Sequence, residues 1–242
     1  TIISNRAFQY GGALFIKEFV HLSVQSSIFF KNKALVQSGA LGCVNGIENI
    51  VIQHSVFIKN KADSAGAIKT WNIKSGVIMS TLFMSNIAAD DGGAVFIYSI
   101  TSLKCIKTQF ESNHAKTVGG AMSIETNEEK SAIFFMQNKF YENTAKLEGT
   151  ALFIIRSLPK ELNLYDLVIL TNSTILALNL KAKYIRMQNV FLKISALKSI
   201  PLSVQCANKT YLLNITFQCP FPTYLKQSTV IRTAGVALHL TY

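Results

Sequence analysis

The sequence predicts an all-β fold, a single-stranded parallel β-helix (a solenoid) of about nine coils of roughly 27 residues each. Three observations predict it. A motif recurs at a nearly fixed interval. The residues between copies alternate apolar and polar with period two. The same side-chain types return at the same place in each copy, as stacked turns require.

The motif reads F-x-x-N-x-A, a short gap, then G-A. Its copies are Phe29, Asn32, Ala34, Gly39, Ala40, then Phe57, Asn60, Ala62, Gly66, Ala67. Next come Phe83, Asn86, Ala88, Gly92, Gly93, Ala94, and Phe110, Asn113, Ala115, Gly119, Gly120, Ala121. The last clear copy is Phe140, Asn143, Ala145, Gly149, Thr150, Ala151, and a partial one opens the chain with Ile2, Asn5, Ala7, Gly11, Gly12, Ala13. The six asparagines thus recur at an almost constant interval, and the Ala two places after each never varies. Leucine-rich repeats share that length, but their Leu-x-x-Leu-x-Leu ladder is absent. Helical repeats need amphipathic runs with the helical period. The segments here alternate instead, as half-buried strands do. Before the motif lie Leu22 and Val24, Ile50 and Ile52, Leu103 and Cys105, Ile133 and Phe135; after it lie Leu14 and Ile16, Val95 and Ile97, Met122 and Ile124.

Each column then acquires a reason. Equivalent residues in a parallel β-helix stack at the strand spacing, about 4.8 Å. Phe29, Phe57, Phe83, Phe110 and Phe140 are expected to stack their rings in the core. Asn32, Asn60, Asn86, Asn113 and Asn143 sit where the chain turns; asparagine tolerates left-handed geometry and stacked amides bond one another. The small Ala closes the turn. The Gly pair permits positive φ and close backbone approach. Ser27, Ser55, Thr81, Thr108 and Asn138, two places before each Phe, are expected to face inward, with hydroxyls pairing up and down the stack.

The motif F-x-x-N-x-A followed by G-G-A resembles the repeats of the chlamydial polymorphic outer membrane proteins, over roughly residues 1–156. The resemblance implies a right-handed parallel β-helix. For function it implies an extracellular adhesin-like protein or structural stalk.

Residues 1–156 form the regular repeats, and 157–242 are expected to be degenerate coils or a small β cap. Strand-like runs continue there, as in Leu162 to Leu170, Ile175 to Leu180, Tyr184 to Phe191 and Tyr211 to Phe217. Asn172 follows Asn143 by close to one period. The whole rod would be about 40 Å long. The two parts differ in charge: 15 basic and 11 acidic residues in 1–156, against 9 and 2 in 157–242. Lys181, Lys183, Arg186, Lys193 and Lys198 crowd one stretch. Lys181 and Lys183 alternate with Leu180, Ala182 and Tyr184, which would place both lysines on an outward face. That face is expected either to contact acidic glycans or an anionic surface, or to be a solvated face that discourages edge pairing. Trp71 and Tyr98, in like places of neighbouring coils, would form an aromatic platform for sugar or simply pack at the surface.

Three N-glycosylation sequons, at Asn172, Asn208 and Asn214, all lie in the last third, whereas the Ala after each ladder Asn excludes a sequon there. Cys206 and Cys219 are disulfide candidates in an oxidising compartment, closing a short loop around a strand pair with Asn208 at its turn. Cys43 and Cys105 fall on inward positions and read as buried hydrophobes.

Composition narrows the function classes. Hydrophobic residues make up 49% and charged residues 15% of 242, with a formal net charge of +11; disorder needs the opposite balance. No apolar run approaches the roughly 18 residues of a spanning helix. The pattern is already running at Ile2, so the chain is expected to be a processed protein or a segment of a longer one. No metal, cofactor or catalytic group is expected: Asp63, Asp90, Asp91 and Glu148 occupy similar turns without a matching His or Arg, and no G-x-S-x-G, P-loop or zinc spacing occurs. No nucleic-acid motif accompanies the basic charge. The expectation is a non-catalytic extracellular or cell-surface solenoid, structural or adhesive, forming filaments by self-association or meeting other extracellular surface proteins, since solenoid ends expose strand edges. The alternative is a polysaccharide-binding or polysaccharide-processing β-helix.

Overall fold

The computed structural model describes residues 1–18, 20–126, 130–155, 159–172, 177–194, 202–218 and 230–232; within these, side chains are described except at 45–47, 155, 181, 194, 202–210, 212, 214, 216–218 and 230–232. Among the described residues the chain is all-β, and every strand pair is parallel. The strands form a solenoid of about seven turns. Nine were expected; beyond Gln218 only Val230–Arg232 is described as strand. One sheet of 19 strands wraps most of the turn, and a six-stranded sheet of two-residue strands closes it. No described helix is long and apolar enough to cross a membrane.

The register confirms the repeat residue by residue. Ile2 pairs with Phe29, Phe29 with Phe57, Phe57 with Phe83, Phe83 with Phe110, and Phe110 with Phe140. The column continues past the motif through Ile169, Leu192 and Phe217. The phenylalanine rings stack with centroids 4.6, 5.0, 5.0 and 4.9 Å apart and planes within 12° of parallel. The strand spacing imposes this distance, and alternation keeps Phe29, Phe57, Phe83, Phe110 and Phe140 buried.

The asparagine ladder is bonded in both directions. Asn60 donates its backbone N–H and its Nδ2 to Asn86 Oδ1, both at 3.0 Å, and also donates from Nδ2 to the Phe29 carbonyl. Asn86 repeats this with Asn113 and Phe57, and Asn113 with Asn143 and Phe83. Asn32 donates to Asn60 in the same way, and Asn5 to Asn32. The amides thus carry the inter-turn bonding where the corner interrupts the backbone ladder.

The turn itself differs from expectation. The left-handed residue is the one before each asparagine: Ser4, Lys31, Lys59, Ser85, Ser112 and Glu142 have φ between 49° and 55°. The asparagine stays in ordinary backbone geometry and spends its side chain on the stack. A second corner follows the same device at Ser26, His54, Ser80, Lys107, Gln137, Asp166 and Asn189. The inward column after it is buried at Ser55, Thr81, Thr108 and Asn138. Its hydroxyls do not pair with each other. Ser55, Thr81 and Thr108 each donate to the carbonyl two residues back in their own turn. That closes the corner locally, and an acceptor on the next turn, such as Asn138 Oδ1 for the Thr108 N–H, bridges the stack.

The Gly pair divides its work. Gly92 has φ +67°, while Gly93 is there for space: a Cβ on it would lie 1.9 Å from the Gly120 carbonyl oxygen. Ser38 and Ala65 adopt the left-handed geometry of the first Gly, at 59° and 61°.

Candidate functional site

The inner wall of the solenoid is committed to packing. Cys43 and Cys105 are buried free thiols, as their inward positions predict. Burial pushes both thiols up to about 12, with a hydrogen bond to Thr108 opposing this slightly at Cys105. Any site must therefore lie on outward columns.

Two outward columns carry aromatic and charged side chains, one for each of the two surfaces expected from the sequence. In the first, Trp71 pairs with Val44 on one side and Tyr98 on the other, and Tyr98 with Glu125. The Trp71 and Tyr98 rings meet at 4.9 Å with a 54° tilt, and Trp71 is 37% exposed. Their platform has a charged support. Lys69 is only 8% exposed; its ammonium lies 4.9 Å from the Phe96 centroid and 5.9 Å from that of Trp71, and it donates to Ser64 Oγ at 3.1 Å. Burial lowers the Lys69 pKa, and Asp90, Asp91 and Glu125 partly oppose that. The turn acids are held too: the Thr117 hydroxyl lies 3.2 Å from Asp90 Oδ1 and within hydrogen-bonding reach of Asp91 Oδ1, its one proton shared between them. Among the described residues no group of three or more His, Cys, Asp or Glu gathers as a metal site would require.

The second column runs Lys104, Phe134, Asn163, Arg186, Tyr211. Beside it lie Glu161 and Tyr184, paired with each other, and Tyr165, next outward after Asn163. Together with Lys160 and Ile185, Glu161, Asn163, Tyr184, Arg186 and Tyr211 line an open groove of about 340 Å³. Tyr184 and Tyr211 are 41% and 45% exposed. The Arg186 guanidinium sits 5.4 Å from the Tyr211 ring centroid, and its Nη1 donates to Tyr165 Oη at 3.5 Å. The phenol contact, with a smaller contribution from Glu161, raises the Arg186 pKa further.

The lysines flanking this groove are placed differently from expectation. A register shift falls between Ala182 and Tyr184, so the alternation changes phase at Lys183. Tyr184, expected inward with Leu180 and Ala182, points outward on the same face as Arg186. Lys183 is partly buried at the irregularity, and its backbone N–H donates to the Pro159 carbonyl. The side chain of Lys181 lies outside the described residues. Arg186 is thus brought to Tyr165, Tyr184 and Tyr211, while Trp71 and Tyr98 stand in a separate column. Sequence alone misses the three tyrosines because they lie on three separate strands, Glu161–Tyr165, Leu178–Ile194 and Leu202–Gln218, in a region without the motif. The bulge also inverts the parity of Tyr184.

Of the modification candidates, Asn172 is described and exposed. It stands three residues after Ile169, where the register would place the next ladder asparagine, yet its Nδ2 donates outward to Glu142 Oε1 at 3.4 Å. Asn208 and Asn214 lie within the strand Leu202–Gln218, their side chains outside the described residues. That strand is continuous, so Asn208 marks a bulge rather than a turn between two strands: Ala182 pairs with Cys206 and Tyr184 with Lys209. The Cys206 side chain and all of Cys219 also lie outside the described residues. Comparison with protein-family models, with curated proteins and with solved structures returned no match for this chain.

Proposed function

We infer that the protein is a non-catalytic structural or adhesive solenoid that works outside the cell. The observation that carries this reading is the continuous ladder from Asn5 to Asn143, in which the recurrent polar side chains are consumed in joining turns. A stack of this kind makes a stiff, elongated support with a repeating outer surface. The exposed Asn172 of Asn172-Ser173-Thr174, turned out of the ladder, fits a glycosylated secreted product. Its partners are further copies of the chain or other extracellular surface proteins. Antibodies raised against the chain should label intact, unpermeabilised cells of its source. Labelling that appears only after permeabilisation overturns the reading.

A second reading is a polysaccharide-binding β-helix. The groove between Tyr184, Arg186 and Tyr211 favours it, because exposed aromatic faces beside a planar cation suit a sugar surface.

A further inference from the structure

We propose that the groove around Arg186 binds an anionic glycan, with Arg186 taking a carboxylate or sulfate group and Tyr184 and Tyr211 stacking on the sugar rings. This rests on the polysaccharide-binding reading and names its ligand class and its residues.

Four features of the groove converge. The guanidinium is exposed and always charged, and its planar fork matches a carboxylate or sulfate in two parallel hydrogen bonds. It is also oriented. Tyr165 Oη meets Nη1 at 3.5 Å, and the Tyr211 ring lies 5.4 Å away, so less freedom is lost when an anion arrives. Tyr165 is itself steadied, its ring 5.4 Å from that of Phe134 and its hydroxyl 3.5 Å from Asn163 Oδ1.

The second feature is the aromatic pair. Tyr184 and Tyr211 are over two-fifths exposed and lie on adjacent strands, Tyr211 opposite Arg186 and Tyr184 two residues before it. Part-exposed rings next to a cation are a surface that a pyranose can cover with its C–H face. The third is the acceptor set. Glu161 and Asn163 line the same groove; Glu161 Oε1 lies 3.8 Å from the Lys160 ammonium and Asn163 Oδ1 accepts from Tyr165, and each carboxylate or amide oxygen has a further lone pair for a hydroxyl donor. A phosphate or sulfate ion alone brings no such donors, whereas a sugar brings several. The Glu161 carboxylate also repels an anion placed on its side, which directs the charged group toward Arg186.

The last is size. About 340 Å³ is at the small end of ligand clefts, and the cleft is open, as suits part of a long chain rather than an enclosed metabolite. The surrounding third of the sequence carries a net +7 from nine basic and two acidic residues, which draws polyanions toward it.

The test is titration calorimetry of the full chain with three octasaccharides: a sulfated glycosaminoglycan, an oligouronate and a neutral glucan. A polyglutamate peptide of equal charge is the fourth titrant. At least one anionic sugar is expected to bind at least tenfold tighter than the glucan and than the peptide. Arg186→Gln and Tyr211→Ala should each weaken it about tenfold. Lys61→Gln, a charge change at an exposed position on a distant turn, should weaken it less than twofold. Circular dichroism of each variant checks the fold, and Arg186→Lys, which keeps the charge and loses the fork, should still lose most of the affinity. Equal weakening by Lys61→Gln and Arg186→Gln would overturn the site in favour of diffuse charge. Equal binding of the peptide would overturn the sugar, and silence from both anionic octasaccharides would overturn the proposal. The cell-labelling result is independent of all of these.

Discussion

The turns up to residue 155 and the turns from 178 to 218 build the same solenoid by different means. In the first region Phe29, Phe57, Phe83, Phe110 and Phe140 mark off long turns, broken by left-handed corners into strands of at most 13 residues, many of them only two or three. In the second, the turns from Ile169 to Leu192 and from Leu192 to Phe217 are shorter than any of those. Two strands of 17 residues, Leu178–Ile194 and Leu202–Gln218, run through where the first region breaks its strands. The Asn ladder ends at Asn143, and Ile169 and Leu192 follow the Phe stack. Parallel pairing and inward alternation persist throughout. A solenoid turn therefore needs register and an apolar inner face. The Asn, Phe and Gly columns make it regular and fix where it bends. Relaxing them leaves the outer surface free to vary, and the Arg186 groove lies where that freedom is used.

The sharpest break in this comparison is to remove one amide from the ladder and one from beyond its end. Asn86→Ala strands the buried Asn60 backbone N–H and takes one hydrogen bond each from Asn60 Nδ2, the Phe57 carbonyl and Asn113 Oδ1. At about 1–3 kcal/mol for the stranded group and less for each of the other lost bonds, the loss should be about 4 kcal/mol by chemical denaturation. Asn172→Ala, in an exposed position, should cost less than about 0.5 kcal/mol. Similar losses at both would show that the ladder is not what distinguishes the regions.

Next, by its slope per pH unit, is the response to alkali. Cys43 and Cys105, both in the regular region, have folded pKa values of about 12 against an ordinary 9.0. Above pH 9 the unfolded chain releases these protons and the folded chain keeps them, so stability falls as pH rises. The slope should be about 1.4 kcal/mol per pH unit for each thiol between pH 9 and about 12. Cys105→Ala should remove one thiol's share of the slope whatever it does to stability at pH 7. An unchanged slope would mean the thiols are already ionised or solvated in the folded state.

The smallest effect concerns a corner. Ala65 is buried with φ 61°, where its neighbours in other turns use Gly92 and Gly119. Ala65→Gly removes the Cβ conflict and should raise stability by about 0.5–1 kcal/mol, after the entropy that Gly adds to the unfolded chain. A loss in thermal unfolding would show that the corner is not strained.

How much of this was legible follows from what a repeat can signal. Asn60, Asn86 and Asn113 were readable as a ladder because each must bond its equivalents above and below, so the residue type is copied from turn to turn. Lys59, Ser85 and Ser112 were not readable as the left-handed residues. Their backbones do the bending and their side chains face outward, so Ser, Lys and Glu all serve there and no single type marks the position. The burial of Lys69 between Phe96 and Trp71 was hidden for the same reason: it belongs to one turn and has no column of equivalents.

The sequence by itself determined the all-β solenoid, its turn length, the Phe and Asn columns and the burial of Cys43 and Cys105, because period and alternation state which side chains must meet. Tertiary structure alone decided the bulge at Lys183, the outward turn of Asn172 and the meeting of Tyr165, Arg186 and Tyr211. Those depend on how one strand registers on the next where no motif is copied, and a shift of one residue there changes which face a side chain joins.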